Sequence, residues 1–294
     1  MPSAPADLDR RLTSFLQRFR DPEFARPVAD KLGWGEEKVL GLLDMYLNEA
    51  HAGLAVVAPY LERARGKRIL EVGSGVGVLS AFLKSEGHDI TGLEPVGLGF
   101  DFFSVAARAV ADATRDLGLP RIEKSVVDAT SDEHGTFGLI FSVNVLEHID
   151  HLDAAFARMA ELLAPGGEMI HSCPNYLVPY EPHFGIPLVP FAPALTAKVF
   201  RAKVASNVPL WHSLNFIDYG TVQKLAKKYG LAPEFHTGLL HRALSRLDED
   251  EEFAKRHPGV ARSYRALQKV GVAGALARIP AWASTPMQFE LRHA

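Results

Sequence analysis

Residues able to do chemistry fall into two groups in this 294-residue chain. The first lies in RILEVGSGVGVLS, residues 68–80, where Glu71 precedes Gly73, Gly75 and Gly77. Glycines at alternate positions let a backbone turn come close to a ligand, and a carboxylate beside them favours a cationic one. A dinucleotide-binding turn needs Gly-x-Gly-x-x-Gly instead, and Val78 occupies the place of its third glycine. Glu71 would repel a pyrophosphate and attract a ligand carrying an ammonium and a sulfonium. The second group is three histidines: His148 in NVLEHI, His183 in NYLVPYEPHFGIPLVPF and His212 in WHSLNF. Imidazole titrates near neutral pH and is the natural general base for a hydroxyl.

Alternating elements must position these groups. RILEVG, DITGLEP, RIEKSVVDA, FGLIFSVNV and EMIHSCPN read as strands. GVLSAFLKSEG, the stretch near 102–117 and LDAAFARMAELLAPGG read as the intervening helices. Such alternation specifies an α/β fold with a doubly wound, mostly parallel sheet, whose ligand sits beyond the carboxyl ends of the strands. Leu8, Leu12, Phe15, Leu16 and Phe19 recur at helical spacing, so residues 1–65 form an N-terminal helical extension or lid. Residues 66–175 form the ligand-binding core. Residues 176–216, rich in proline and aromatics without a sustained period, form a cap over the second substrate. Residues 217–294 complete the sheet around a helical insertion at 242–283. The acidic run Asp248 to Glu252 reads as a solvated helix start.

Bulk composition narrows the partners. A net charge of −3 without a basic block lacks the electrostatic footprint of a nucleic-acid binder. The one cysteine, Cys173, excludes an internal disulfide framework and fits a reducing, cytoplasmic location. MPSAPADLDRRL turns charged before an apolar stretch develops, so no secretory signal is expected. No apolar run approaches the roughly 18 residues of a membrane span.

These motifs resemble the class I S-adenosylmethionine-dependent methyltransferases, whose signature Glu-x-Gly-x-Gly-x-Gly follows strand one. Over about residues 40–175 the likeness extends to five ordered motifs. It implies a seven-stranded Rossmann-like sheet and S-adenosyl-L-methionine as cofactor. It implies too that Glu71, Gly73, Ser74, Gly75 and Gly77 form the cofactor turn. Glu94, 17 residues past Gly77, would take both ribose hydroxyls. Asp128, beside Ala129, would contact the adenine amino group, and Asn144 would complete the cradle. The Glu147-His148 pair is similar to one in the ubiquinone-pathway O-methyltransferases. Some of those hold a divalent metal with an additional upstream glutamate, but that position is Asn144 in this chain, so no metal is expected. Insertions after strand five cover the acceptor in this family, which assigns Tyr176, Tyr180, Glu181, His183 and Phe184 to the cap. His148, His183 or His212 would then be the base.

The [DNS]-Pro-Pro-aromatic signature of nucleic-acid amino methyltransferases is absent after strand four. With the near-neutral charge this argues for a small-molecule or lipid-linked acceptor, and transfer to an oxygen of it is the expected activity. Transfer to carbon, to nitrogen or to a cell-envelope sugar is the alternative. A nicotinamide-dependent oxidoreductase and a non-catalytic cofactor-binding protein are the more distant ones.

Overall fold

Residues 5–95, 101–189, 192–249, 254 and 258–294 are described by the structure, a computed structural model. The first strands are short, and the first two are wholly buried: β1 (Ile69–Val72), β2 (Ile90–Leu93), β3 (Arg121–Ile122) and β4 (Phe137–Val143), with β5 (Leu163–Cys173) after them. A hairpin of β6 (Tyr180–Glu181) and β7 (Ile186–Pro187) follows, and β8 (Leu231–Phe235) and β9 (Met287–His293) come last. Seven of them form one sheet in the order β3-β2-β1-β4-β5-β9-β8, the doubly wound order expected. β1 pairs in parallel with β2 (Ile69 opposite Ile90) and with β4 (Ile69 opposite Leu139). β8 and β9 run antiparallel, bonded from His236 N to Gln288 O and from Ala294 N to Gly230 O.

By its internal contacts the chain divides into two units. The first comprises residues 1–143, 154–170 and 293, and the second residues 144–153, 171–292 and 294.

In the first unit, α1 (Pro5–Leu16) buries Leu8, Leu12, Phe15 and Leu16, the spacing read from the sequence. Asp21 caps α2 (Pro22–Leu32) by accepting from Glu23 N at 2.8 Å, with Pro22 in the first turn, where its missing N–H costs nothing. One helix, α3 (Glu36–Leu61), then leads toward β1 and buries Val39, Leu43, Leu47, Leu54, Val57 and Leu61. α4 (Val78–Ser85) starts straight from the glycine turn, α5 (Asp101–Ala113) precedes β3, and the single turn α6 (Ser131–His134) precedes β4.

Two local readings shift. The third strand ends at Ile122, and Val126–Asp128 forms a 3-10 turn closed from Asp128 N to Ser125 O. A short local turn there overrides the β preference of two valines. α7 (Leu152–Leu162) stops before its Pro-Gly-Gly, which belongs to β5. Gly138 stands at the start of β4 because a Cβ there would meet the Lys67 side chain at 2.7 Å.

In the second unit the stretch after β5 is more regular than its sequence suggests. The hairpin pairs Glu181 with Ile186, and three short helices follow: α8 (Pro193–Val199), α9 (Arg201–Val204) and α10 (Val208–His212). Fully buried Asn175 ties this unit together. Its amide donates to Trp282 O and Ser284 O at 2.9 and 3.0 Å, and its Oδ1 accepts from Leu177 N and Tyr219 N. Asp218 caps α11 (Tyr219–Lys228) by accepting from Thr221 N at 2.7 Å. Helices Leu239–Glu249 and Pro258–Lys269 enclose a small core of Leu247, Ala261 and Tyr264. Most of the acidic run, Asp250 to Glu252, lies outside the described residues.

Candidate active site

The glycine turn is built from the end of β1 outward. Gly73 N and Ser74 N both donate to Leu93 O, at 2.8 and 3.0 Å, and Gly77 N donates to Ser74 O at 2.8 Å. These bonds bring the turn against the end of β2. Glu94 then accepts from Gly75 N through Oε2 at 2.9 Å. Gly75 has φ +55°, a conformation that penalises side chains, and a Cβ there would meet only the Phe103 ring at 3.7 Å.

Glu71 differs from its sequence reading. It is no exposed rim: it is 8% exposed beneath the turn and accepts from the buried Ser80 hydroxyl. Burial above all, with the nearby Glu94 charge, raises its carboxyl to about 8 against the Ser80 hydrogen bond and Arg121. Glu94, only half-buried, is the more accessible carboxylate of the cradle. Asp128 is exposed on the 3-10 turn after β3, beside buried Ala129.

The second unit gathers a different set. Fully buried Glu181 is the centre: Tyr176 Oη donates to its Oε1 at 3.1 Å and Phe184 N to its Oε2 at 2.7 Å. His183 Nδ1 lies 2.6 Å from Glu181 Oε1. A carboxylate accepts, so Nδ1 carries the proton and Nε2 the lone pair. That Nε2 faces Glu147 Oε1 at 3.9 Å. Burial alone would raise the Glu181 carboxyl, but the hydrogen bond and charge of His183, with the N–H of Phe184, hold it below the usual carboxylate range.

His148 is fixed from its other side. Ser213 Oγ donates to Leu210 O at 2.8 Å, so it accepts from His148 Nδ1 at 2.9 Å and leaves the Nε2 lone pair free of that bond. The two imidazoles meet edge to face with centroids 5.2 Å apart. Burial, then the nearby His183, lowers the His148 pKa to about 4, which makes it a weak base at neutral pH. Asn215 closes the loop under Glu147, donating to Leu146 O and Ile149 O at 2.7 and 2.9 Å. Asn144 is exposed at the end of β4 with φ +55° and donates its N–H to Ser172 O.

The structure thus brings His148, His183, Glu181 and Glu147 together and leaves His212 outside that cluster, exposed at the end of α10. Tyr176 and Phe184 are buried and act through Glu181, while Tyr180 is half-buried on β6. Ser213 and Asn215 escaped the sequence reading, although both lie within three residues of His212. Nothing in their spacing to His148, 65 residues away, announces the contact.

Two buried histidines give a pH prediction. Burial lowers His171 to about 3, as it lowers His148 to about 4. Both folded values lie below the unfolded one, so the unfolded chain takes up protons first as pH falls. Their contribution is complete above roughly pH 6.5 and is lost below it, on the order of 1 kcal/mol per pH unit for each histidine. The difference in urea midpoint between wild type and H171N, taken at pH 7 and at pH 5, checks this free of the opposite-signed contribution of Glu71, and a difference that does not change with pH would contradict it.

A model of the methyltransferase domain family matches residues 45–233. The chain belongs to the methyltransferase domain family. Its fold is that of the class I S-adenosylmethionine-dependent methyltransferases, with S-adenosylmethionine as the donor of the class. Over 201 residues it is 40% identical to an uncharacterized protein of Mycobacterium tuberculosis, covering 65% of this chain and 66% of that one. The chain therefore spans just under two thirds of the length of these curated relatives. It is 26% identical over 110 residues to the ubiquinone biosynthesis O-methyltransferase of Escherichia coli, covering 37% of this chain and 44% of that one. Among solved structures, an S-adenosylmethionine-dependent methyltransferase from Mesorhizobium loti aligns with a TM-score of 0.47 at 15% identity, over 77% of this chain and 91% of that one. No described helix is long and apolar enough to cross a membrane.

Proposed function

We propose that this methyltransferase moves the methyl group of S-adenosylmethionine to a hydroxyl oxygen of a small or lipid-linked acceptor. The cofactor fits the first unit on two observations. The Gly75 position leaves open the space that a side chain would fill. Glu94 uses one oxygen on the turn, and a carboxylate has further lone pairs for a pair of ribose hydroxyls. Gly73, Ser74, Gly75 and Gly77 would hold the amino-acid end through backbone. Asp128, Ala129 and Asn144 are proposed for the adenine side and the cradle's rim. Bound, the cofactor supplies an activated methyl group on a sulfonium, so the protein's tasks are alignment and removal of one proton.

The observation that carries the oxygen assignment is the Glu181–His183 pair at 2.6 Å. Glu181 fixes the tautomer and ring orientation of His183 and stabilises the imidazolium that forms when Nε2 takes the acceptor's proton. The His183 side chain is 22% exposed, open to an incoming hydroxyl. His148, with its lowered pKa, accepts a hydrogen bond and orients the acceptor. Tyr180 is proposed for the acceptor's apolar body.

One observation favours a second reading of the same cluster. Ligand atoms of Glu147, His148 and His183 lie within 4.8 Å of one another, and two imidazoles with a carboxylate suit a divalent ion. The residue upstream of the Glu-His pair, Asn144, gave no reason to expect a metal, but the cap contributes a third donor in His183. Such an ion would supply a Lewis acid for the acceptor oxygen.

Both readings meet one experiment. Calorimetry with S-adenosylhomocysteine and with NADH tests the cofactor, and NADH binding alone would overturn it. Product formation is then measured with catechol and with histamine as acceptors. Methylation of catechol is expected, and methylation of histamine alone would overturn the oxygen assignment. A rate lost to EDTA and restored by Mg²⁺ selects the metal-assisted version; a rate insensitive to EDTA selects His183 as base.

A further inference from the structure

Arg121 opens β3, opposite Gly92 of β2, and its side chain turns back toward the glycine turn. Nη1 donates to Ala107 O of α5 at 2.9 Å, and Nη2 donates to Val76 O at 3.3 Å. A Cβ on Gly77 would collide with Nη2 and come within 3.2 Å of Cζ. The third glycine of the turn is favoured by its φ of +84°, and a side chain there would also have to displace this guanidinium. Arg121 is also the cation whose field reaches both carboxylates of the turn, Glu71 and Glu94.

We propose that Arg121 is the positioning residue of the cofactor cradle: its guanidinium braces the glycine turn through Val76 and α5 through Ala107, and so places a positive charge on the carboxylate side of the turn. The inference rests on the reading of this turn as the S-adenosylmethionine site. Its electrostatics follow from the groups facing one another. Glu71 faces the Ser80 hydroxyl, Glu94 and Arg121. Glu94 faces Gly75 N and Arg121. Arg121 faces exposed Glu123 just past its own strand, together with Glu94 and Glu71. Burial pushes both carboxyls of the turn up, and Arg121 pulls both down. Without it the two acids share the turn with no described cation beside them, and Glu94 protonates at a higher pH.

The test is the affinity for S-adenosylhomocysteine of wild type, R121M and R121K, measured by calorimetry from pH 6 to pH 9. Affinity in R121M is expected to fall off at a higher pH than in wild type, roughly tenfold for each pH unit below the raised Glu94 midpoint, and to recover as the pH rises above it. R121K keeps the charge and loses the forked donors, so its midpoint stays near wild type while its plateau affinity falls. A wild type that binds normally beside an R121M with an unshifted midpoint overturns the inference. A wild type that fails to bind at any pH overturns the cofactor reading instead. If R121M does not fold, R121Q takes its place. If neither folds, a shifted midpoint in R121K overturns the charge role, and an unshifted midpoint with reduced plateau supports it.

Discussion

Replacing His183 with alanine lowers methyl-transfer turnover by roughly 10²–10⁴-fold, the contribution of one positioned general base, and leaves affinity for S-adenosylhomocysteine unchanged. The size follows from what the substitution removes. His183 Nε2 carries the lone pair because Glu181 accepts from Nδ1, and Glu181 is fixed in turn by Tyr176 and Phe184 N. Alanine takes away the proton acceptor and leaves a fully buried carboxylate that has lost one donor but keeps two. The fold should therefore survive, as a thermal melt would show. E181Q serves as the companion variant, since it keeps the shape and removes the charge that stabilises imidazolium. The acidic limb of its pH–rate profile should move toward lower pH, because a less stabilised imidazolium gives up its proton more easily. An unaltered rate in H183A would return His183 to a packing role and shift attention to His148.

Glu94→Ala is expected to weaken S-adenosylhomocysteine binding by about 1.5–3 kcal/mol, or roughly 10–150-fold, the range for hydrogen bonds to a charged group. The loss has two sources. The ribose hydroxyls lose their acceptor, and Gly75 N loses the carboxylate that accepts from it at 2.9 Å. E94Q separates them, since its amide oxygen can still accept from Gly75 while the charge is gone. The sign with pH is fixed too: burial raises the Glu94 carboxyl, against Gly75 N and Arg121, so wild-type affinity falls as pH drops through that raised value. Calorimetry showing equal affinity in wild type and E94A would remove Glu94 from the ribose.

The chain's own letters settle the local part of this structure. The strand, glycine turn and helix of residues 68–80 follow from a buried apolar run, three glycines and an amphipathic stretch, all read within a few residues. Repetition of that pattern settles the doubly wound sheet, and the distance from Gly77 to Glu94 settles which acid meets the turn. The helical spacing of Leu8 to Leu16 settles α1 in the same way.

Contacts between distant stretches were a different matter. His148 meets Ser213, and Arg121 reaches under a turn 45 residues earlier in the chain. Gly77 also lies against that guanidinium. Glu71 lies buried beneath the turn, bonded to Ser80. Tyr176 and Phe184 both donate to Glu181. Periodicity reports which face of an element is buried, because it repeats with the backbone's own geometry. Which polar group waits at the other side of that face depends on how separate elements cross, and burial then sets both its hydrogen-bond partner and its charge.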